Sequence, residues 1–447
     1  MARPEKRRVA ILGAGAAGLA AAWYLEERGH AVTVFEREPQ VGGLCAGLEV
    51  DGRAYDLGAA LLSWAYTHVF RFVERFGLTY RPIAPFYLVD RADGTVLPLA
   101  WQLEGKSKLE LAAQVVKYSL ELTHHLPHVG GPGFRDLEST DLCQPFDEWL
   151  DAHGLSLLKE LLILPVTCYG YGKLSEIPAA YGLKYLNFGN FSTAMYMVGI
   201  QSMGQPLQWP KKLDVGLHGL LQRMGAGLAN PPRTSCQLLR VDRGVGLKQP
   251  IRIRSRQGDG RVRTERFDAL LVACKQDLQT LAGVPMALTE AEHELFAGVV
   301  TENYFTQVFD VPAVPGKIDD GVYSAIVDHG AFSLPQSGDP LFMGRIWPGT
   351  DVLNVYTAAD PGVGPEGLEA RARAALCAMG SSPGQRLALR QWRYFPHATC
   401  DALQAGFYTK FEALQGQNAT WWAGSLACFE CVEDSMAYAD DLVHRFF

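Results

Sequence analysis

One short segment constrains this chain more than any other. Val9 to Leu12 is an apolar run of the buried-strand type, and it leads directly into Gly13-Ala14-Gly15-Ala16-Ala17-Gly18. A helical stretch follows to Arg28 and Gly29 stops it; Ala31 to Phe35 is a second apolar run ending in Glu36. Strand, GxGxxG, helix, strand and acid fall within about 30 residues, the order of a nucleotide-binding βαβ unit. Gly13 makes the tight turn, Gly15 lets the backbone approach a pyrophosphate, and Gly18 lets the helix lie close on the strand. The helix N-terminus around Ala17 presents free N–H groups and a positive dipole end to the phosphates. Glu36, with Arg37 beside it, accepts hydrogen bonds from the ribose hydroxyls of an ADP moiety.

Composition is that of an ordinary globular protein. Of 447 residues, 48% are hydrophobic and 20% charged, which excludes collagen-like, disordered and coiled-coil classes. Two or three cores are expected at this length. A net charge of −7 argues against a basic nucleic-acid-binding face. No uninterrupted apolar run reaches the roughly 18 residues of a membrane span. Lys6-Arg7-Arg8 ahead of Val9 to Ala22 imitates a secretory signal, but the glycines at 13, 15 and 18 break it. Nine scattered cysteines, an odd number, point to reduced thiols and a cytoplasmic location. No metal is expected.

Along the middle of the chain, 60–80 reads as helical and 86–98 as a hairpin around Ala92-Asp93-Gly94. Lys106 to Leu126 is an apolar helix with Leu109, Ala112, Val116 and Leu120 at helical spacing; the expected use of that stripe is packing as a cap, with peripheral lipid contact the alternative. From Cys168 to Phe188, tyrosines and phenylalanines alternate with glycines, which suits either an aromatic core or the wall of a long apolar tunnel. Leu213 to Leu228 reads as a helix, Arg233 to Val241 and Pro250 to Ser255 as a strand pair, and Phe267 to Ala273 as a strand returning to the nucleotide sheet. Residues 300–358 are strand-rich. A second literal GxGxxG, Gly362 to Gly367, follows Val352 to Thr357. Pro361 and Pro365 stiffen it and no acid ends the next strand, so NADPH is not expected there, although Arg393 is available for a 2′-phosphate.

REPQVGGLC (37–45) carries a second glycine pair, Gly42-Gly43 before Leu44, and RAYDLGA (53–59) adds a strand and turn. With Trp421-Trp422-Ala423-Gly424-Ser425 before a final helix, these blocks resemble the FAD-dependent amine oxidase and phytoene-desaturase-like superfamily. PFDEWLDAHG (145–154), YGYGKLSEIPAAYGLKYLNF (169–188), WRYFP (392–396), FYTKFEALQGQNATWWAG (407–424) and the terminal DLVHRFF resemble, more narrowly, bacterial polyunsaturated fatty acid double-bond isomerases. The resemblance implies an α/β chain: a Rossmann-type FAD-binding domain (1–80, 210–290 and 395–447), a β-sheet substrate domain (81–104 and 291–394) and a helical lid (105–209). It implies non-covalent FAD, with Gly58-Ala59 beside the ring, Leu238 on the adenine side and Ala273 near the cofactor. It also places the N–H groups near Val432 and Glu433 at the pyrimidine end, with a dipole that stabilises negative charge there.

Most of that group carry an acid where Ser425 stands, so a weaker contact to the cofactor chain is expected. The implied reaction converts a methylene-interrupted diene to a conjugated one by hydride loss to the flavin and return, with no catalytic side-chain base. An FAD-dependent oxidase or desaturase is the alternative. Either needs the donor carbon held about 3–3.5 Å from the flavin, with water excluded. Tyr171, Phe191, Tyr394 and Phe395 are the candidates to line the pocket and stabilise a cation. His397 is read as a satisfied structural histidine. Cys428 and Cys431 form a CxxC read as packed thiols, with a redox disulfide the alternative. The expected partner is a long, unsaturated, apolar small molecule. Phe86 to Val89 lacks the arginines that those isomerases have near the substrate entrance, so weak dependence on a free carboxylate is expected.

Overall fold

The computed structural model describes residues 6–202, 208–244, 250–312 and 321–447. The nucleotide-type half is built on a parallel sheet in the order Thr420–Trp422, Ala269–Val272, Arg8–Leu12, Ala31–Phe35. Val9 pairs with both Ala269 and Val32, so the glycine turn lies at the carboxyl edge of the central strand. Strands buried on both faces read as continuous apolar runs, as here. The helix Ala16–Glu27 buries Ala17 through Leu25 and packs on the C-terminal helix Val432–Phe446. A three-stranded antiparallel layer, Gln237–Asp242, Ile251–Arg256 and Val262–Phe267, stands beside it.

A second, mixed sheet runs Arg386–Ala398, Val299–Asp310, Val352–Ala358, Pro340–Gly344, Val322–Asp328, Phe86–Asp90, Val96–Pro98. Alternation divides its faces. Phe309, Leu353 and Val355 pack with Leu376 of the helix Pro365–Ala378. Tyr304, Tyr356 and Trp392 fall in a different cluster. The strand Arg386–Ala398 crosses the expected domain boundary at 394/395 without a break.

The described residues of the expected lid carry the helices Lys108–Val129, Phe146–Ala152, Leu158–Ile163, Ala179–Tyr185 and Phe188–Ser202. Ser107 caps the first of these, accepting from Glu110 N at 3.3 Å. The stripe expected to pack is the outward one. Leu109, Val116 and Leu120 are 84%, 60% and 64% exposed. The helix is seated instead through Gln114, Tyr118, Leu122, His125 and Val129. Two stripes at helical spacing coexist on it, and the one carrying Tyr118 wins because its hydroxyl reaches Leu186 O at 3.0 Å. No described helix is long and apolar enough to cross a membrane.

The second GxGxxG is not a nucleotide turn. The strands flanking its helix, Val352–Ala358 and Arg386–Ala398, are not paired with each other: Val299–Asp310 lies between them and runs antiparallel to both, so the turn does not sit in a parallel nucleotide-type sheet. Arg393 is engaged by Asp277 at 2.8 Å and by Gln279, away from that turn.

Candidate active site

The glycine turn is shaped as its spacing demands. Gly13 has φ +104° and its N–H reaches Phe35 O at 2.8 Å. A side chain at Gly18 would overlap the Gly13 carbonyl. Gly15 differs: an added Cβ there meets only Gly43 Cα, at 3.8 Å, while one on Gly43 would lie 3.1 Å from Gly15 Cα. The two bare backbones approach each other closely, with no side chain between them. The first closed bond of the helix is Leu19 N to Gly15 O, so the N–H groups of Ala16, Ala17 and Gly18 precede the intrahelical ladder. A pyrophosphate fits this cradle.

Glu36 is held by Ala14 N at 2.8 Å and Glu38 N at 2.9 Å, one on each oxygen, leaving each a further lone pair. Arg37 is exposed beside Glu38. Backbone of Arg233 and Cys236 brackets Glu36, two residues before half-buried Leu238. Ala273 continues the central sheet through Leu12 O, and Gly424, at φ +122°, has nothing nearer than 3.8 Å to an added Cβ.

At the far end of this cleft the C-terminal helix closes its first turn with Ser435 N on Cys431 O, so the N–H groups of Val432 to Asp434 precede the ladder. The Glu433 side chain is not a cofactor ligand. It takes His68 N at 2.8 Å, Val69 N at 2.9 Å and the Thr67 hydroxyl, capping the helix Thr67–Arg75. Only its backbone remains for the cleft.

A cavity of about 1150 Å³ opens next to Leu44, Gly58 and Ala59. Aromatic rings form much of its wall, among them Tyr66, Tyr169, Tyr171, Tyr185, Tyr304, Tyr356, Trp392 and Tyr394. A second cavity of about 550 Å³ shares Leu61, Tyr66, Tyr169 and Tyr185 with it and extends among Leu99 and, from the helical region, Leu161, Leu164 and Met197. Burial raises the phenols, so these tyrosines are neutral hydrogen-bonding rings.

Of the four pocket candidates, Tyr171 and Tyr394 line the large cavity, stacked at 5.5 Å. Phe191 and Phe395 do not. Phe191 stacks on Tyr118 at 4.1 Å, on the face of its helix that seats the cap. Phe395 sits in a bulge of its strand, with φ +48°, and packs behind the wall on Tyr171, Tyr181 and Phe429. The extra residue turns its ring off the cavity face. His397 Nδ1 donates to Phe395 O at 2.8 Å, and burial lowers its pKa to about 4, so it is a neutral packing group. Cys428 and Cys431 are free buried thiols; Cys431 Sγ reaches the Tyr66 hydroxyl and Cys428 Sγ the Gly424 and Phe429 carbonyls.

Two cavity residues escape the sequence reading. Glu430 lies inside the CxxC, where the cysteines draw attention from it. It is 6% exposed, and neither carboxylate oxygen has a hydrogen-bond partner within the protein. Burial pushes its pKa up to about 7, opposed by Lys275, the Phe395 N–H and the Ser425 hydroxyl nearby. The Tyr171 hydroxyl donates to its backbone carbonyl at 3.1 Å. An unmet acid stands near Ser425, where the superfamily's acid is missing. Lys212 belongs to no motif at all, yet it lines the same cavity.

Residues 16–406 match the family described as flavin containing amine oxidoreductase. The chain belongs to that family. It is 23% identical over 440 residues to a FAD-dependent oxidoreductase, dpchF, of Colletotrichum higginsianum, covering 94% of this chain and 88% of that one. A zeta-carotene-forming phytoene desaturase of Myxococcus xanthus is 42% identical over 76 residues, 17% of this chain and 15% of that one. Among solved structures, the CLA-producing fatty acid isomerase from P. acnes matches with TM-score 0.82 and 24% identity, over 100% of both chains. Putrescine oxidase matches at 0.70 and 14% identity over 98% of both. This chain is therefore an FAD enzyme of the oxidoreductase type with the cofactor held non-covalently. The side-chain-free backbone at Gly15 and Gly43 and the N–H groups that precede the two helical ladders fit that group.

Proposed function

We propose that the protein is an FAD-dependent double-bond isomerase of a long, unsaturated, apolar chain. The observation that carries this reading is the ring-walled cavity that starts beside the cofactor cleft and adjoins a second, apolar space among the helices. Bound FAD supplies a hydride acceptor, and return of the hydride two carbons along moves a double bond without net oxidation. The protein's own part is positional. Tyr171, Tyr394, Tyr304 and Trp392 present ring faces to a cation developing on the chain. The same walls exclude water and oxygen from it. A full-length likeness in fold to a fatty acid isomerase supports the reading.

A second reading, an oxidase or desaturase, is favoured by Glu430. Removing two hydrogens from a substrate takes away a proton as well as a hydride, and a buried carboxyl is placed to receive it. Turnover of linoleic acid without oxygen separates the two. The isomerase keeps forming conjugated diene, followed by its ultraviolet absorbance, at undiminished rate. An oxidase stops after one equivalent per flavin and then needs an acceptor. A saturated chain gives neither product. Rapid oxidation of a small polar amine, with no lipid accepted, overturns both lipid readings.

A further inference from the structure

We propose that Lys212 anchors an anionic head group, so that the chain taken by this cavity carries a carboxylate. This rests on the long-chain reading above and names the end of the substrate that the apolar walls leave open. Lys212 lies in the short strand Lys211–Leu213, which pairs with Tyr80–Pro82. Alternation separates the two lysines of that strand. Lys211 lies over the rings of Trp209 and Tyr80, whereas Lys212 is 3% exposed and lines the large cavity.

Its ammonium donates to Ile346 O and stands 3.4 Å from the centre of the Trp347 ring. Among the described residues no carboxylate lies within ion-pair distance of it. The two acids that act on it through space are committed elsewhere. Asp214 holds Arg81 and the Thr79 hydroxyl at 2.6 Å each, and Asp56 takes the His218 N–H at 3.3 Å. Arg81 and Arg53 crowd the same indole, at 4.8 and 5.9 Å, so the surroundings are more positive than one lysine makes them. An ammonium has three donors, and the carbonyl takes one. Burying such a charge without a counterion is costly, and an anionic ligand in the adjoining cavity offsets that cost. Glu430, an acid in the same wall, disfavours an anion near itself, so the pair sets the direction in which a chain lies.

The arginine-free segment Phe86 to Val89 therefore does not release the enzyme from carboxylate recognition; the cation comes from a different strand. The test uses the FAD-loaded protein and a ligand that cannot react, stearic acid, against its methyl ester, with binding read from the perturbed flavin spectrum. The parent binds the acid more tightly than the ester by about tenfold to a hundredfold, and Lys212→Met abolishes that preference, weakening the acid far more than the ester. Lys212→Arg retains part of it. Lys212→Gln, which keeps a polar end in the wall, serves where the Met variant loses its fold or flavin. Equal binding of acid and ester by the parent, or equal weakening of both by the variants, overturns the proposal while the long-chain reading stands. Binding of neither ligand by the parent overturns both.

Discussion

Gly15→Val gives a folded, colourless protein. The backbone at Gly15 is extended, φ −82° and ψ −171°, a conformation open to any residue. An added Cβ there meets only Gly43 Cα, at an ordinary contact distance of 3.8 Å, so the protein accommodates the first carbon of the new side chain. The new methyl groups instead crowd the bare backbone beside the N–H groups of Ala16 to Gly18, where a pyrophosphate is expected to approach. Losing two hydrogen bonds to a charged phosphate, about 1.5–3 kcal/mol each, weakens FAD binding by about two to four orders of magnitude. Gly18→Val behaves differently, because its side chain overlaps the Gly13 carbonyl and forces helix from strand. That variant loses structure along with cofactor. Flavin absorbance of the purified proteins, together with far-ultraviolet circular dichroism and thermal melting, separates the two. A Gly15→Val protein that binds FAD as the parent does shows that the turn is not the phosphate site.

This contrast marks how far the sequence reaches. The cleft is legible because each of its requirements is local: a turn, a bare backbone, a helix start and an acid follow one another within one βαβ unit. The mixed sheet is legible as alternation, and its rings at 304, 356, 392 and 394 fall on one wall for that reason. Phe191 and Phe395 were misplaced because periodicity gives a face but not its neighbour. Tyr118 claims the Phe191 face, and a one-residue bulge moves Phe395 off its register. The outward stripe of Lys108–Val129 fails in the same way. Lys212 and Glu430 were invisible because their meaning is wholly tertiary. A lysine on a three-residue strand and a glutamate between two cysteines become notable only when burial removes water from them and no partner carboxylate or donor replaces it.

Glu430→Gln stabilises the cofactor-free protein at pH 8 and leaves it nearly unchanged at pH 5. The carboxyl has a folded pKa of about 7 against an ordinary 4.5, with burial the principal cause. A raised acid contributes stability while protonated, fully present below pH 4.5 and lost as pH rises through 7. Above that, the fold must hold an ionised buried carboxylate, only partly offset by Lys275, the Phe395 N–H and the Ser425 hydroxyl, at an order-of-magnitude cost of about 3 kcal/mol. Glutamine keeps the shape without the charge. Asp56 and Asp434, raised to about 7 and about 6, tilt the parent the same way, and Lys212, lowered to about 7, tilts it the opposite way. These terms are common to both proteins, so the comparison is the difference in melting temperature at the two pH values. Parallel curves would mean that the carboxylate is already satisfied. Turnover then assigns its role. An isomerase that loses and regains one hydride needs no proton acceptor, and Glu430→Gln changes its rate only a few-fold. An oxidase that delivers a proton to Glu430 slows by about 10²–10⁴. The same substitution therefore measures the strain of the buried acid and decides which of the two reactions the cavity performs.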